Sequence, residues 1–153
     1  MNKPVLFCYD GSDGSKTALR AAVELIKPAD AVVLVVWTPA AVQLARAGSF
    51  LVAVPNEGEI DEQEVAAARE LAEEGAAGAR GRGYNASARI AQANESVART
   101  IDQIAMEIDA GLVVCGQRGR RRDAAKAGLS RQAGFSGRDN LESAREVASR
   151  AIA

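Results

Sequence analysis

A chain of 153 residues is long enough for one compact domain with a substantial core and too short for two ordinary ones, so a single domain over residues 1–153 is expected. Hydrophobic residues make up 48% of the chain but aromatics only 4%, and the abundance of alanine favours helices packed closely through small side chains. The formal net charge is -1; the lack of any histidine excludes a histidine-dependent triad, and two widely separated cysteines argue against a zinc centre.

Val5 to Tyr9 is a short apolar run that ends at Asp10-Gly-Ser-Asp-Gly-Ser15, after which Ala18, Leu19, Ala22, Val23 and Ile26 recur at helical spacing. The pattern is strand, turn, helix, with Ser15 as the expected N-cap and Pro28 as the stop. Ala31 to Trp37 is continuously apolar and valine-rich, as in a strand covered on both faces, and completes a parallel, right-handed βαβ unit. Thr38 to Gly58, punctuated by Pro39, Gly48, Pro55 and Gly58, reads as a mobile connector, either a lid or a crossover insertion. From Ile60 to about Ala79 an acidic, alanine-rich helix follows, with Val65, Ala68 and Leu71 on one stripe and Gly75 and Gly78 weakening its far end.

Tyr84 to Ile90 alternates like a more exposed strand, with Ala86, Ala88 and Ile90 on one face. Asn94 or Ser96 caps the next helix, whose inner side carries Val97, Ile101, Ile104, Ala105 and Ile108; Gly111 ends it, and Leu112 to Cys115 forms a fourth buried strand. The order β-α-β-loop-α-β-α-β is that of an α/β protein with an open, doubly wound, Rossmann-like parallel sheet and helices on both faces. Cys8 and Cys115 lie in apolar runs, which predicts buried, reduced thiols and a cytoplasmic setting. The N-terminal residues lack the apolar core of a signal peptide, and no apolar run approaches the roughly 20 residues of a membrane span, so no membrane partner is expected.

The tail has a different character. Residues 116–153 carry nine basic side chains against four acidic ones, leaving that segment at +5 and the remainder at -6. Ser136 to Ala153 reads as a polar helix with Leu141, Ala144, Val147, Ala148 and Ile152 on one side, so residues 120–153 form a basic, helical C-terminal segment. Such a segment suits phosphates or an anionic surface, although a solvated helix and loop have the same composition. One arginine cluster without interleaved aromatics gives little support to nucleic-acid binding.

Ligands of an open parallel sheet collect beyond the carboxyl ends of its strands, which here carry Asp10-Gly-Ser, Trp37-Thr-Pro and Gly116-Gln-Arg-Gly119. Glycine at the last of these allows backbone N–H groups to approach phosphate oxygens. Taken together, Val5 to Ser15, the alanine-rich helix, the valine-rich second strand and Asp109-Ala-Gly-Leu-Val-Val-Cys-Gly-Gln-Arg-Gly-Arg120 resemble the universal stress protein family over roughly residues 4 to 120.

The resemblance implies a Rossmann-like domain, often dimeric, one branch of which binds ATP through a G-x2-G-x9-G-(S/T) motif. By position it would set Asp10 at the adenine or ribose end, the backbone around Val36 beside the adenine, and Arg118 with the Gly116 and Gly119 amides toward the phosphates. Asp10 serves equally as a brace for the Gly11 turn, and Val36 as core. Gly128 and Ser130 would complete the motif, but eight residues rather than nine separate Gly119 from Gly128, and Leu129 intervenes before Ser130. Arg120, Arg121, Arg122 and Lys126 could supply charge to the triphosphate in compensation. The family's usual fifth strand, which helps to pair two subunits, is not evident, so four strands are expected and a homodimer loses its usual seam. Asp10 or Asp13 could hold Mg2+ through water alongside the nucleotide.

The expectation is therefore a non-catalytic ATP-binding stress-response protein, a sensor or regulator. The chain lacks the Walker lysine of a strong ATPase. The alternatives are an interaction module for unidentified protein partners that has lost ATP, and a hydrolase or nucleotidyl-transfer enzyme on the same scaffold.

Overall fold

The computed structural model describes residues 3–48, 57–93 and 95–116. Among these residues four strands form one parallel sheet. β1 (Val5–Cys8) lies between β2 (Asp30–Trp37) and β4 (Leu112–Val114), and β3 (Asn85–Gln92) pairs with the far side of β2, giving the order β3-β2-β1-β4. The chain steps outward from β1 to β2 to β3, then returns past β1 to lay down β4. That reversal puts helices on both faces. Helices α1 (Asp13–Leu25) and α3 (Glu57–Arg80) cover one face, and α4 (Val97–Glu107) covers the other.

Strand alternation divides the core accordingly. Val5 and Phe7 of β1 and Val33 and Val35 of β2 meet Leu19 and Ala22 of α1 and Ala68, Ala72, Ala76 and Ala79 of α3. Leu6, Leu34, Val32 and Val36 face Ile101, Ile104 and Ala105 of α4. Phe7 and Leu6 are buried completely, each worth about 1.5–3 kcal/mol relative to exposure. Phe7 also meets the Tyr84 ring edge to face at 5.7 Å, and the Tyr84 hydroxyl donates to the Ile26 carbonyl at 2.7 Å.

The alanine stripe explains the close helix-to-sheet approach, and Gly75 takes it further. A Cβ at Gly75 would stand 2.8 Å from Val33 Cγ1 and 3.1 Å from the Tyr9 ring. The glycine that was expected to weaken the helix is thus where α3 presses on the sheet, and the 24-residue helix runs through Gly75 and Gly78 to Arg80. Burial of its alanine face outweighs a propensity cost of about 1 kcal/mol per glycine.

Several boundaries differ from expectation. Residues 38–58 are not wholly irregular, because a short helix, α2 (Ala40–Arg46), forms after Pro39. Pro39 has no capping side chain to offer, and the Ala40 N–H instead donates to Asp61 Oδ1 of α3 at 3.0 Å. Helix α4 is capped by Ser96, whose Oγ accepts from the Arg99 N–H at 3.2 Å. On α4, Val97 is exposed and Thr100 is buried in its stead. The helix ends before Gly111, at Glu107 with Ile108 as its C-cap; Asp109 beyond it takes a left-handed conformation (φ 50°) while the Ala110 and Asp109 amides donate back to Ala105 and Met106. Strand β4 is half-buried, and among the described residues no strand pairs with its outer edge. Cys8 is half-buried and Cys115 is exposed, because β4 ends at Val114 and Cys115 already leaves the sheet. No helix among the described residues is long and apolar enough to cross a membrane. Residues 136–153, read above as a helix, lie outside the described residues.

Candidate functional site

The carboxyl ends of the parallel strands lie on one side of the sheet, and the chain reverses direction between β1 and β4. Two segments meet there. The first is the turn from β1 into α1. Asp10 Oδ1 accepts from the Ser12 N–H at 3.0 Å and from Ser12 Oγ at 2.6 Å, and Ser12 Oγ accepts from the Ser15 N–H at 3.2 Å. Ser12 is therefore the N-cap, with extended backbone, whereas Ser15, expected in that role, is buried in the first turn and donates its hydroxyl to the Ser12 carbonyl at 3.0 Å. Gly11 makes the turn possible, with φ at +74° and no room for a Cβ, which would come 2.7 Å from Leu71 Cδ2.

The second segment leaves β4. A Cβ on Gly116 would lie 2.7 Å from the Gly14 carbonyl carbon and 2.8 Å from the Ser15 nitrogen. Gly116 thus rests on the backbone at the start of α1, where aligned peptide dipoles concentrate partial positive charge. Asp10, the capped helix start and Gly116 form one cluster. Val36 lies on the neighbouring strand, half-buried on the α4 side of the sheet. Arg118, Gly119, Gly128 and Ser130 lie outside the described residues.

Two further features were not anticipated. The Tyr9 hydroxyl donates to Glu74 Oε1 at 2.7 Å, and Lys16 Nζ stands 3.4 Å from the same oxygen. The tyrosine's hydrogen bond, aided by the lysine, holds the Glu74 carboxyl below the usual glutamate range, while burial and the Glu74 bond push the Tyr9 phenol up. Cys8 and Cys115 also interact with each other. The mutual interaction of the two side chains holds the Cys115 thiol below its ordinary value, against burial and the Asp102 charge, and raises Cys8, as burial does too. The Ser12-x-x-Ser15 spacing could have revealed the cap. The cysteine pair could have been found by aligning the two apolar runs that end in cysteine.

Among the described residues no group of three or more histidine, cysteine or acidic side chains is placed to hold a metal ion, and every buried side-chain polar atom has a partner. This arrangement can brace a turn, present a helix start and a glycine backbone to a ligand, and offer a carboxylate beside them.

No curated protein matches this sequence. Among solved structures, a universal stress family protein from Burkholderia pseudomallei is similar with a TM-score of 0.63 at 22% identity, over 83% of this chain and 90% of that one. The universal stress protein UspA from Lactobacillus plantarum gives 0.62 at 18% identity over 94% and 93%, and a universal stress protein from Archaeoglobus fulgidus gives 0.51 at 20% over 75% of each. At such identities these likenesses establish the fold. A family model described as the universal stress protein family matches residues 1–127, most of the length, and the chain belongs to that family.

Proposed function

We propose that this chain is a non-catalytic adenine-nucleotide-binding stress-response protein, a sensor or regulator whose state depends on ATP. The observation that carries the reading is the convergence of Asp10, the capped start of α1 and Gly116 where the sheet reverses direction. Open α/β sheets take their ligands at that place, and helix starts favour phosphate. The residues fit such a group, because a glycine backbone lies on the helix start without a side chain between them.

In this reading Asp10 accepts hydrogen bonds from the ribose or adenine end, and the backbone at Val36 flanks the base. Gly116 offers its amide to the phosphates, with Arg118, Gly119, Gly128 and Ser130 assigned to the same task by the motif. Mg2+ accompanies the nucleotide through water held by Asp10 or Asp13. The residues bind and orient, and none is assigned a bond-breaking role. The setting is the cytoplasm, where two thiols stay reduced. A homodimer and further protein partners would transmit the nucleotide-dependent state.

Calorimetric titration of nucleotide-stripped protein with Mg-ATP tests the reading. The wild type should bind in the micromolar range. Asp10→Asn keeps an oxygen for Ser12 but removes the charge, and should weaken binding about tenfold while leaving the fold intact. Gly116→Ala is the poorer probe, since its methyl group would strike α1 whether or not a nucleotide binds. Absence of binding heat for ATP, ADP and AMP in the wild type would overturn the reading and leave the interaction module, which the shortened Gly119-to-Gly128 spacing favours.

A further inference from the structure

Cys8 is the last residue of β1, and Cys115 is the first residue beyond the neighbouring strand β4. The parallel register pairs Val5 with Leu112, Leu6 with Val113 and Phe7 with Val114, so one more step sets Cys8 beside Cys115. Alternation puts both on the α4 side, since Leu6 and Val113, two residues before each, belong to that core cluster. Adjacent strands lie about 4.7–4.9 Å apart, within the Cα separation of about 4.4–6.8 Å that a disulfide spans. Cys115 falls one step beyond the last laddered residue of β4, so closing a bond there moves the end of that strand, while Cys8 keeps its pairing with Leu34 of β2. Cys115 is exposed and Cys8 half-buried, the arrangement in which one sulfur meets an oxidant and the other is held in reserve.

We infer that Cys8 and Cys115 form a reversible cross-strand disulfide on exposure to a hydroperoxide, with Cys115 as the attacking sulfur and Cys8 as the resolving one. The Cys115 thiolate attacks the terminal peroxide oxygen. The O–O bond breaks, the departing alkoxide or hydroxide takes up a proton and leaves as alcohol or water, and Cys115 becomes a sulfenic acid. Cys8 sulfur then attacks the Cys115 sulfur. The S–S bond forms as the S–O bond breaks, and the leaving hydroxide with the Cys8 proton becomes a second water. The two thiols have lost two electrons and the peroxide has gained them. The depressed Cys115 thiol and the raised Cys8 thiol agree with this division of roles. The bond ties the end of β1 to the chain leaving β4 and does not depend on any nucleotide.

The test treats the reduced full-length protein with one equivalent of hydrogen peroxide, blocks remaining thiols by alkylation and measures intact mass and peptides. Expected are an intact mass lower by two hydrogens, neither cysteine alkylated, one peptide pair joining Cys8 to Cys115 within a monomer, and full reversal by dithiothreitol. In Cys8→Ser, Cys115 should accumulate as a sulfenic acid that dimedone captures; in Cys115→Ser, Cys8 should stay reduced. Circular dichroism reports whether each variant folds, and the wild-type masses decide the matter if one does not. Sulfinic or sulfonic acid on Cys115 without the joined peptides would overturn the inference. So would a disulfide found only between two molecules, or thiols left reduced by peroxide that oxidises an unstructured cysteine peptide.

Discussion

Gly75 and Gly78 lie one turn apart on α3, yet substitution by alanine should move stability in opposite directions. At Gly75 the new methyl group would intrude to 2.8 Å from Val33 Cγ1 and 3.1 Å from the Tyr9 ring, and both neighbours are held in the core. Overpacking of this kind costs about 1–3 kcal/mol and outweighs the gain in helix propensity. At Gly78 the nearest atom, Leu19 Cδ2, would be at 3.6 Å, an ordinary contact, so Gly78→Ala should stabilise by up to about 1 kcal/mol. Urea denaturation of the two variants checks both signs, and a stabilised Gly75→Ala would show that the sheet yields at this point. The contrast was hidden in the sequence, because what distinguishes the glycines is supplied by Val33 and Tyr9, far away along the chain. Asp10 and Gly116 were legible as turn residues after buried strands. The cap at Ser12 was written in the Ser12-x-x-Ser15 spacing, but both serines precede the apolar stripe of α1, and it is the Asp10 hydrogen bonds that fix Ser12 in the role.

At the level of elements, the strands and long helices were readable from apolar runs and helical periodicity, and α2 was not. Its seven residues sit among prolines and glycines that signal a loop, and the carboxylate that satisfies its first amide, Asp61, belongs to the next helix. The element therefore depends on a tertiary contact. Asp61→Ala should remove the acceptor from the Ala40 N–H, at a cost of about 0.5–2 kcal/mol, and the loss should stay local. Hydrogen–deuterium exchange should speed up over residues 40–46 and remain unchanged in β1 and β2. Equal acceleration across the sheet would mean that α2 is integral to the global unit. The half-burial of β4 was equally hard to read, since an apolar triplet looks the same at the centre of a sheet and at its margin.

On the scale of the molecule, the doubly wound layer followed from element order, and the two-sided division of the core confirms it. The Tyr9–Glu74 bond crosses that layer, joining the residue after β1 to α3. Because the folded Glu74 carboxyl lies below its unfolded value, its contribution is present above the unfolded pKa and is lost as pH falls through the folded one. Glu74→Gln can still accept from Tyr9 but no longer titrates. Urea midpoints measured between about pH 5 and pH 3 should therefore fall more steeply for the wild type than for the variant. Parallel curves would show that other carboxylates govern the acid limb.

The central position of β1 also sets an order of assembly during synthesis. Val5 pairs with Ala31 on one side and with Leu112 on the other, so one neighbour leaves the ribosome early and the other late. A three-stranded intermediate of β1, β2 and β3 can close on α1 and α3 while α4 is still inside the exit tunnel. During that interval the flank of β1 that will receive β4 is an open edge, and Leu6, later sealed completely beneath α4, faces water. The nascent chain is thus most vulnerable to misassociation shortly before residues 97–116 emerge, and a holding chaperone would find its binding surface on the uncovered face of a nearly finished sheet.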